Sequence, residues 1–167
     1  MSHTFEQIVR DYGPLLTRVA SSYEADPALC EELTQEIVLA VWQSLARFAG
    51  NSSLKTYILK IAHNQAVTHV SKAVRRPHTE QMSEHISEQY SFTASHSQPE
   101  QLLDQAQQRQ RLLVAVRALP IQSRQVLTLS FEGLGYTDIA QICGLSTTHV
   151  GVILNRTKAV LQQELTS

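Results

Sequence analysis

The sequence predicts an all-α fold: two small helical domains joined by a polar linker, the second a four-helix domain with a helix-turn-helix. Three observations carry this. Apolar residues recur at three- and four-residue spacing along most of the chain. Alternating Val/Ile/Thr-rich runs bounded by hairpin turns are missing. The helical periodicity lapses once, between Pro77 and Pro99. At 167 residues the chain holds one or two small domains. The reading divides it into 1–76, a linker at 77–99, and 100–167.

Phe5, Ile8, Val9 and Tyr12, then Leu15, Leu16, Val19, Ala20 and Tyr23, recur at helical spacing. The Gly13-Pro14 pair between them predicts a break or kink. Asp26-Pro27 is a helix start, an N-cap acceptor followed by Pro at the first position. The helix it opens, 27–48, places Leu29, Leu33, Ile37, Ala40, Val41, Leu45 and Phe48 on one stripe. Gly50-Asn51-Ser52-Ser53 reads as a loop with Ser53 as N-cap. A third helix over 54–75 turns Leu54, Tyr57, Ile58, Ile61, Ala62 and Val70 inward. The stretch 77–99 is rich in Ser, Gln, His and Glu and reads as a mobile linker. Periodicity resumes with Leu102, Leu103, Ala106, Leu113, Val116 and Leu119. Pro120 precedes a short helix carrying Val126, Leu127 and Leu129, which Glu132-Gly133-Leu134-Gly135 ends.

Tyr136–Lys158 has helix-turn-helix spacing. Ile139 and Ala140 fall where the first helix must be apolar and small, so that the second can cross it closely. Gly144 falls at the turn, where a positive φ suits glycine. Val150 and Ile153 face inward on the second helix. Thr147, Thr148, His149, Val152 and Asn155 are left outside, on the helix that would enter a major groove.

The formal charge is -1, so no overall basic field points to indiscriminate polyanion binding. Its distribution is uneven. Residues 1–71 carry five Lys/Arg against seven Asp/Glu, and Lys72, Arg75 and Arg76 follow without an acid. Residues 79–108 hold five acids and no base, while 109–167 hold six bases against three acids. Cys30 and Cys143 stand alone in apolar helical contexts and read as buried thiols of a reducing compartment. His78, His85 and His96 match no ligand spacing, so no metal and no cofactor is expected. Catalysis lacks support too: there is no phosphate-cradling Gly loop, nucleophile motif or paired-carboxylate constellation. No run of about 18 apolar residues and no hydrophobic leader region occur, which predicts a cytoplasmic protein without membrane insertion.

The chain resembles the extracytoplasmic-function sigma factors, the two-domain promoter-specificity subunits of bacterial RNA polymerase. In the first half the resemblance rests on Glu31-Glu32, Leu33, Gln35-Glu36, Trp42, Phe48 and Ile61-Ala62-x-Asn64. In the second it rests on Leu119-Pro120, Arg124, Leu127, Leu129, Asp138-Ile139-Ala140 and Gly144-Leu145-Ser146. It implies core RNA polymerase, promoter DNA and an anti-sigma protein inhibitor as partners.

The resemblance assigns residues. Glu32, Gln35, Glu36 and Leu39 would dock on the clamp helices of core polymerase, where charge pairs steer the encounter. Asn51, Ser52 and Ser53 would meet an unstacked base of the minus-ten element. Lys55, Lys60, His63, Asn64, Lys72, Arg75 and Arg76 would hold phosphates of the opening duplex. Thr147, Thr148, His149, Val152 and Asn155, with Arg156 and Lys158, would engage the minus-thirty-five element. The linker would thread the polymerase, its acids mimicking nucleic acid. Two departures stand out. Tyr57 replaces a usual Trp, and Thr68 and Ser71 replace a usual Asp and Arg. Gly151 and Ile153 stand where basic residues are common, with Arg109, Arg111, Arg117 and Arg124 as partial compensation. Two alternatives stay open: a helix-turn-helix regulator that recruits no polymerase, and an adaptor whose Gly151–Leu154 run binds a protein.

Overall fold

The computed structural model describes residues 4–75 and 99–166, and its described residues form seven α-helices. The stretch 77–98, with Arg76, lies outside them, as do the linker reading and its three histidines.

Helix α1 (Phe5–Tyr23) opens on a reciprocal capping box: Thr4 accepts from the Gln7 backbone N–H, and the Gln7 side chain accepts from the Thr4 N–H. Of the break or kink expected at Gly13-Pro14, the break does not occur; Pro14 lies inside one continuous helix. Its missing N–H leaves one backbone acceptor without a helical donor. Burial of Leu15, Leu16, Val19 and Ala20 on the turns that follow offsets that loss. Helix α2 (Pro27–Ser44) starts where expected, with the Asp26 carboxylate accepting from the Ala28 and Leu29 N–H groups. It ends earlier than expected, and a 3-10 turn (Leu45–Arg47) carries the chain to Gly50, whose φ is 79°. Helix α3 (Leu54–Arg75) begins on Ser53, whose hydroxyl accepts from the Thr56 N–H. Leu16, Leu33, Ile37, Val41, Ile58 and Leu59 are fully enclosed between these three helices.

The second domain is the four-helix unit expected: α4 (Pro99–Arg117), α5 (Ile121–Phe131), α6 (Tyr136–Cys143) and α7 (Thr147–Thr166). Its core is Val126, Leu127, Leu129, Ile139, Val150 and Leu154. Two expected inward residues, Leu102 and Leu103, are exposed instead. Gly144 adopts φ 69°, ψ 36°, the left-handed conformation required of it, and the Leu145 N–H closes on the Ala140 carbonyl at 3.0 Å. Ser146 then caps α7 by accepting from the His149 N–H. The inner faces of α6 and α7 meet as the motif demands.

Both cysteines are free and half-buried, and burial pushes the Cys143 thiol up to about 11. Among the described residues no helix is long and apolar enough to cross a membrane.

Candidate nucleic-acid and partner interfaces

The outer face of α7 is built by subtraction. Val150, Ile153, Leu154, Thr157 and Leu161 are buried, which fixes the rotation of the helix. Thr147, Thr148, His149, Val152, Asn155, Arg156 and Lys158 are then all exposed. The Gly151–Leu154 run forms no continuous apolar surface, since Ile153 and Leu154 point into the core. Gly151 itself faces Tyr136, whose ring carbon would lie 3.4 Å from an added Cβ.

Of the four arginines read as compensating charge, two are committed to structure. Arg124 is buried, donates to the Arg117 and Leu119 carbonyls, and stacks over the Tyr23 ring at 5.3 Å. Burial pulls its guanidinium below the ordinary value, with Tyr23 opposing. Arg117 donates to the Ser21 carbonyl at 2.8 Å. Arg111 donates to the Leu165 carbonyl, and Arg109 remains exposed. The compensation therefore shrinks to Arg109 and Arg111.

On α3, Lys60, Asn64, Thr68 and Lys72 follow one another at four-residue spacing along an exposed row. The Thr68 and Ser71 hydroxyls both bond back to their own helix, to the carbonyls of Asn64 and Val67. Neither is left to make the polar pairing that the usual Asp and Arg would supply. Asn51 and Ser53 are exposed at the loop and Ser52 is half-buried. Lys55 is exposed but engaged, donating to the Glu132 carbonyl.

His63 is a correction. It is wholly enclosed, its Nδ1 2.8 Å from the Tyr23 hydroxyl and its Nε2 without a partner. Burial lowers its pKa to about 3, so the ring is neutral and cannot hold a phosphate. The signal that finds it is helical phase. Leu59, Ala62, His63 and Ala66 are spaced i, i+3, i+4, i+7 and are all fully buried.

On α2, Glu32, Gln35, Glu36 and Leu39 are all exposed, opposite the buried Leu33, Ile37 and Val41. Beside them lies a feature the residue-by-residue reading missed. Trp42 is 44% exposed and meets Phe5 of α1 edge to face, ring centroids 5.9 Å apart. Val9 and Leu39 are exposed as well, so large apolar side chains stand in solvent on both helices. Leu39 and Trp42 stand off the apolar stripe of the 27–48 helix, which is the signal in the sequence, whereas Phe5 and Val9 belong to the periodic set of α1 and are exposed all the same.

Comparison with known proteins shows the family to which the chain belongs. Residues 8–76 match the Sigma-70 region 2 family and residues 109–161 match Sigma-70, region 4. The chain is 30% identical over 138 residues to RNA polymerase sigma factor YlaC of Bacillus subtilis, covering 81% of this chain and 77% of that protein. It is 25% identical over 156 residues to the ECF RNA polymerase sigma-E factor of Haemophilus influenzae, covering 90% and 79%. In fold it is similar to the sigma factor RpoE of Bartonella quintana, solved with the anti-sigma factor NepR. That match has a TM-score of 0.70 at 21% identity and covers 97% of this chain and 96% of the other. Two sigma regions matched in order, together with a relative of this identity and coverage, make the chain a member of the extracytoplasmic-function sigma factors of bacterial RNA polymerase.

Proposed function

We propose that residues 1–76 bind core polymerase and open the minus-ten element, that 77–99 is the linker, and that 100–167 reads the minus-thirty-five element. The observation that carries this is the paired exposure: the α2 set and the α7 set both face solvent on helices whose opposite faces are buried. Glu32, Gln35 and Glu36 orient the encounter with basic groups of the clamp, and Leu39, Trp42 and Phe5 supply apolar area. Asn51, Ser52 and Ser53 approach an unstacked base. Lys55, Lys60 and Lys72, with Arg75 and Arg76, neutralise phosphates, and the Asn64 amide donates a hydrogen bond to one. On α7, Thr147, Thr148, His149, Val152 and Asn155 meet base edges, and Arg156 and Lys158 meet the backbone. No step makes or breaks a covalent bond in this chain; the polymerase does the chemistry.

RpoE of Bartonella quintana was solved with an anti-sigma factor, and CnrH with the cytosolic domain of CnrY. A protein inhibitor acting in the cytoplasm is the corresponding partner for this chain.

The test is binding to core polymerase by fluorescence anisotropy. Changing Glu32, Gln35 and Glu36 to alanine together should weaken binding at least tenfold, which is about 1.4 kcal/mol. Unchanged binding would leave the α2 face without its role.

A further inference from the structure

We propose that Val152 selects a thymine in the upstream duplex by packing its methyls against the thymine 5-methyl group. The proposal deepens the reading of α7 as the helix that enters a major groove, and rests on it. In that groove thymine alone presents a methyl, next to its O4 acceptor. Of the residues assigned to base contact, Thr147, Thr148, His149 and Asn155 are polar; Val152 is the apolar one, 41% exposed. One turn away to either side stand Thr148, His149, Asn155 and Arg156, all exposed, so Val152 is a single apolar point among polar neighbours. Val160, the other exposed valine of α7, differs: it borders a cleft shared with α4.

The fold gains little from a valine there. The inward contacts of α7 are made by Val150, Ile153, Leu154, Thr157 and Leu161. Valine loses χ1 freedom in a helix and is a poorer helix former than alanine. What the branched side chain offers is a stiff apolar end. One strongly preferred rotamer holds both methyls in place, so little freedom is lost on contact. A polar base edge set against it would give up water and gain no partner, which disfavours the other bases. Donors for the thymine O4 stand alongside. The Thr17, Thr34, Thr68 and Thr128 hydroxyls each bond back to the carbonyl four residues earlier. Among the described residues no such bond occupies the Thr148 hydroxyl, and the Asn155 amide is likewise unengaged. The surroundings suit a polyanion: between Asp138 and Glu164 the sequence holds no acid, and Arg156 and Lys158 are exposed on α7.

The test uses the full chain bound to core polymerase. Genomic fragments retained by this complex are sequenced. Their shared upstream element is then remade with each thymine in turn replaced by deoxyuridine, which pairs alike and lacks only the 5-methyl group. At one thymine the change should weaken binding about fourfold, the worth of one buried methyl. Val152→Ala should lose about as much, and in that variant deoxyuridine at the same position should cost nothing more. Fragments retained by Val152→Ala should no longer favour thymine there. Alanine is the better helix former, and circular dichroism checks that helix content is retained. Equal sensitivity to deoxyuridine in wild type and Val152→Ala overturns the assignment to Val152. A shared upstream element in which no thymine is sensitive to methyl loss overturns the methyl contact, while the reading of α7 stands. Fragments retained without any shared upstream element overturn that reading, and the contact falls with it.

Discussion

Burial of His63 makes stability depend on pH in a way that can be worked through. The ring is fully buried on α3 and meets the Tyr23 hydroxyl of α1 at 2.8 Å, and Arg124 lies over the ring of that tyrosine. Its pKa falls from 6.5 to about 3 on folding, through burial. Between those values the unfolded chain carries a proton that the folded chain refuses. The contribution of His63 is therefore complete above pH 6.5 and is lost as pH falls toward 3. At about 1.36 kcal/mol per unit, the loss from this one group between pH 7.5 and pH 5 is about 2 kcal/mol. Urea unfolding followed by circular dichroism, on wild type and His63→Gln at pH 7.5, 6.5, 5.5 and 5, isolates it. Groups common to both proteins, including the His69–Glu24 pair, cancel in the difference. The stability advantage of wild type over the variant should be constant above pH 7 and shrink by about 2 kcal/mol at pH 5. A difference that stays flat across the series would refute the buried neutral ring.

Further outcomes follow from single side chains. Gly151→Ala should stabilise the protein by about 0.5–1 kcal/mol, read as a rise in Tm, because the new Cβ makes only ordinary contact with the half-exposed Tyr136 ring. Gly144→Ala should destabilise by about 1–2 kcal/mol in the same assay, since φ there is 69°. Asp26→Ala removes the acceptor for two backbone N–H groups and should cost about 1 kcal/mol in urea unfolding. Arg156→Ala and Lys158→Ala should each lower the slope of log affinity against log salt by about 0.9 on minus-thirty-five DNA, uniformly across sequences. A slope unchanged in both would remove their phosphate role.

The helices were legible because local chemistry and periodicity agree. Asp26 and Ser53 accept backbone N–H groups at helix starts, Gly144 takes the left-handed conformation open to a residue without a Cβ, and the turn there leads from α6 into α7. Pro14 does not end the helix because its local cost is one hydrogen bond, while burial of Leu15, Leu16 and Val19 is a tertiary gain that spacing does not weigh. His63 was misplaced because its charge type was read ahead of its phase; Leu59, Ala62 and Ala66 mark its stripe as the inward one. Arg117, Arg124 and Glu132 could not be placed from sequence, because their partners Ser21, Tyr23 and Arg18 lie in the other domain. Arg124 shows the difference well. Its motif position was visible, but its work, joining two carbonyls and a distant ring, is a property of the packed molecule. The exposed sets on α2 and α7 were legible, since an outer face is fixed once the inner one is known.

The measurement that bears most directly on the account is transcription in vitro from a genomic fragment library, with core polymerase and this protein, and start sites mapped by sequencing. The account predicts starts that share two sequence elements at a fixed spacing. They should vanish when Glu32, Gln35 and Glu36 are alanine, while changes at Thr147, Thr148 and Asn155 should alter only the upstream element. Starts that share no elements, or that persist unchanged with the alanine variant, would contradict it.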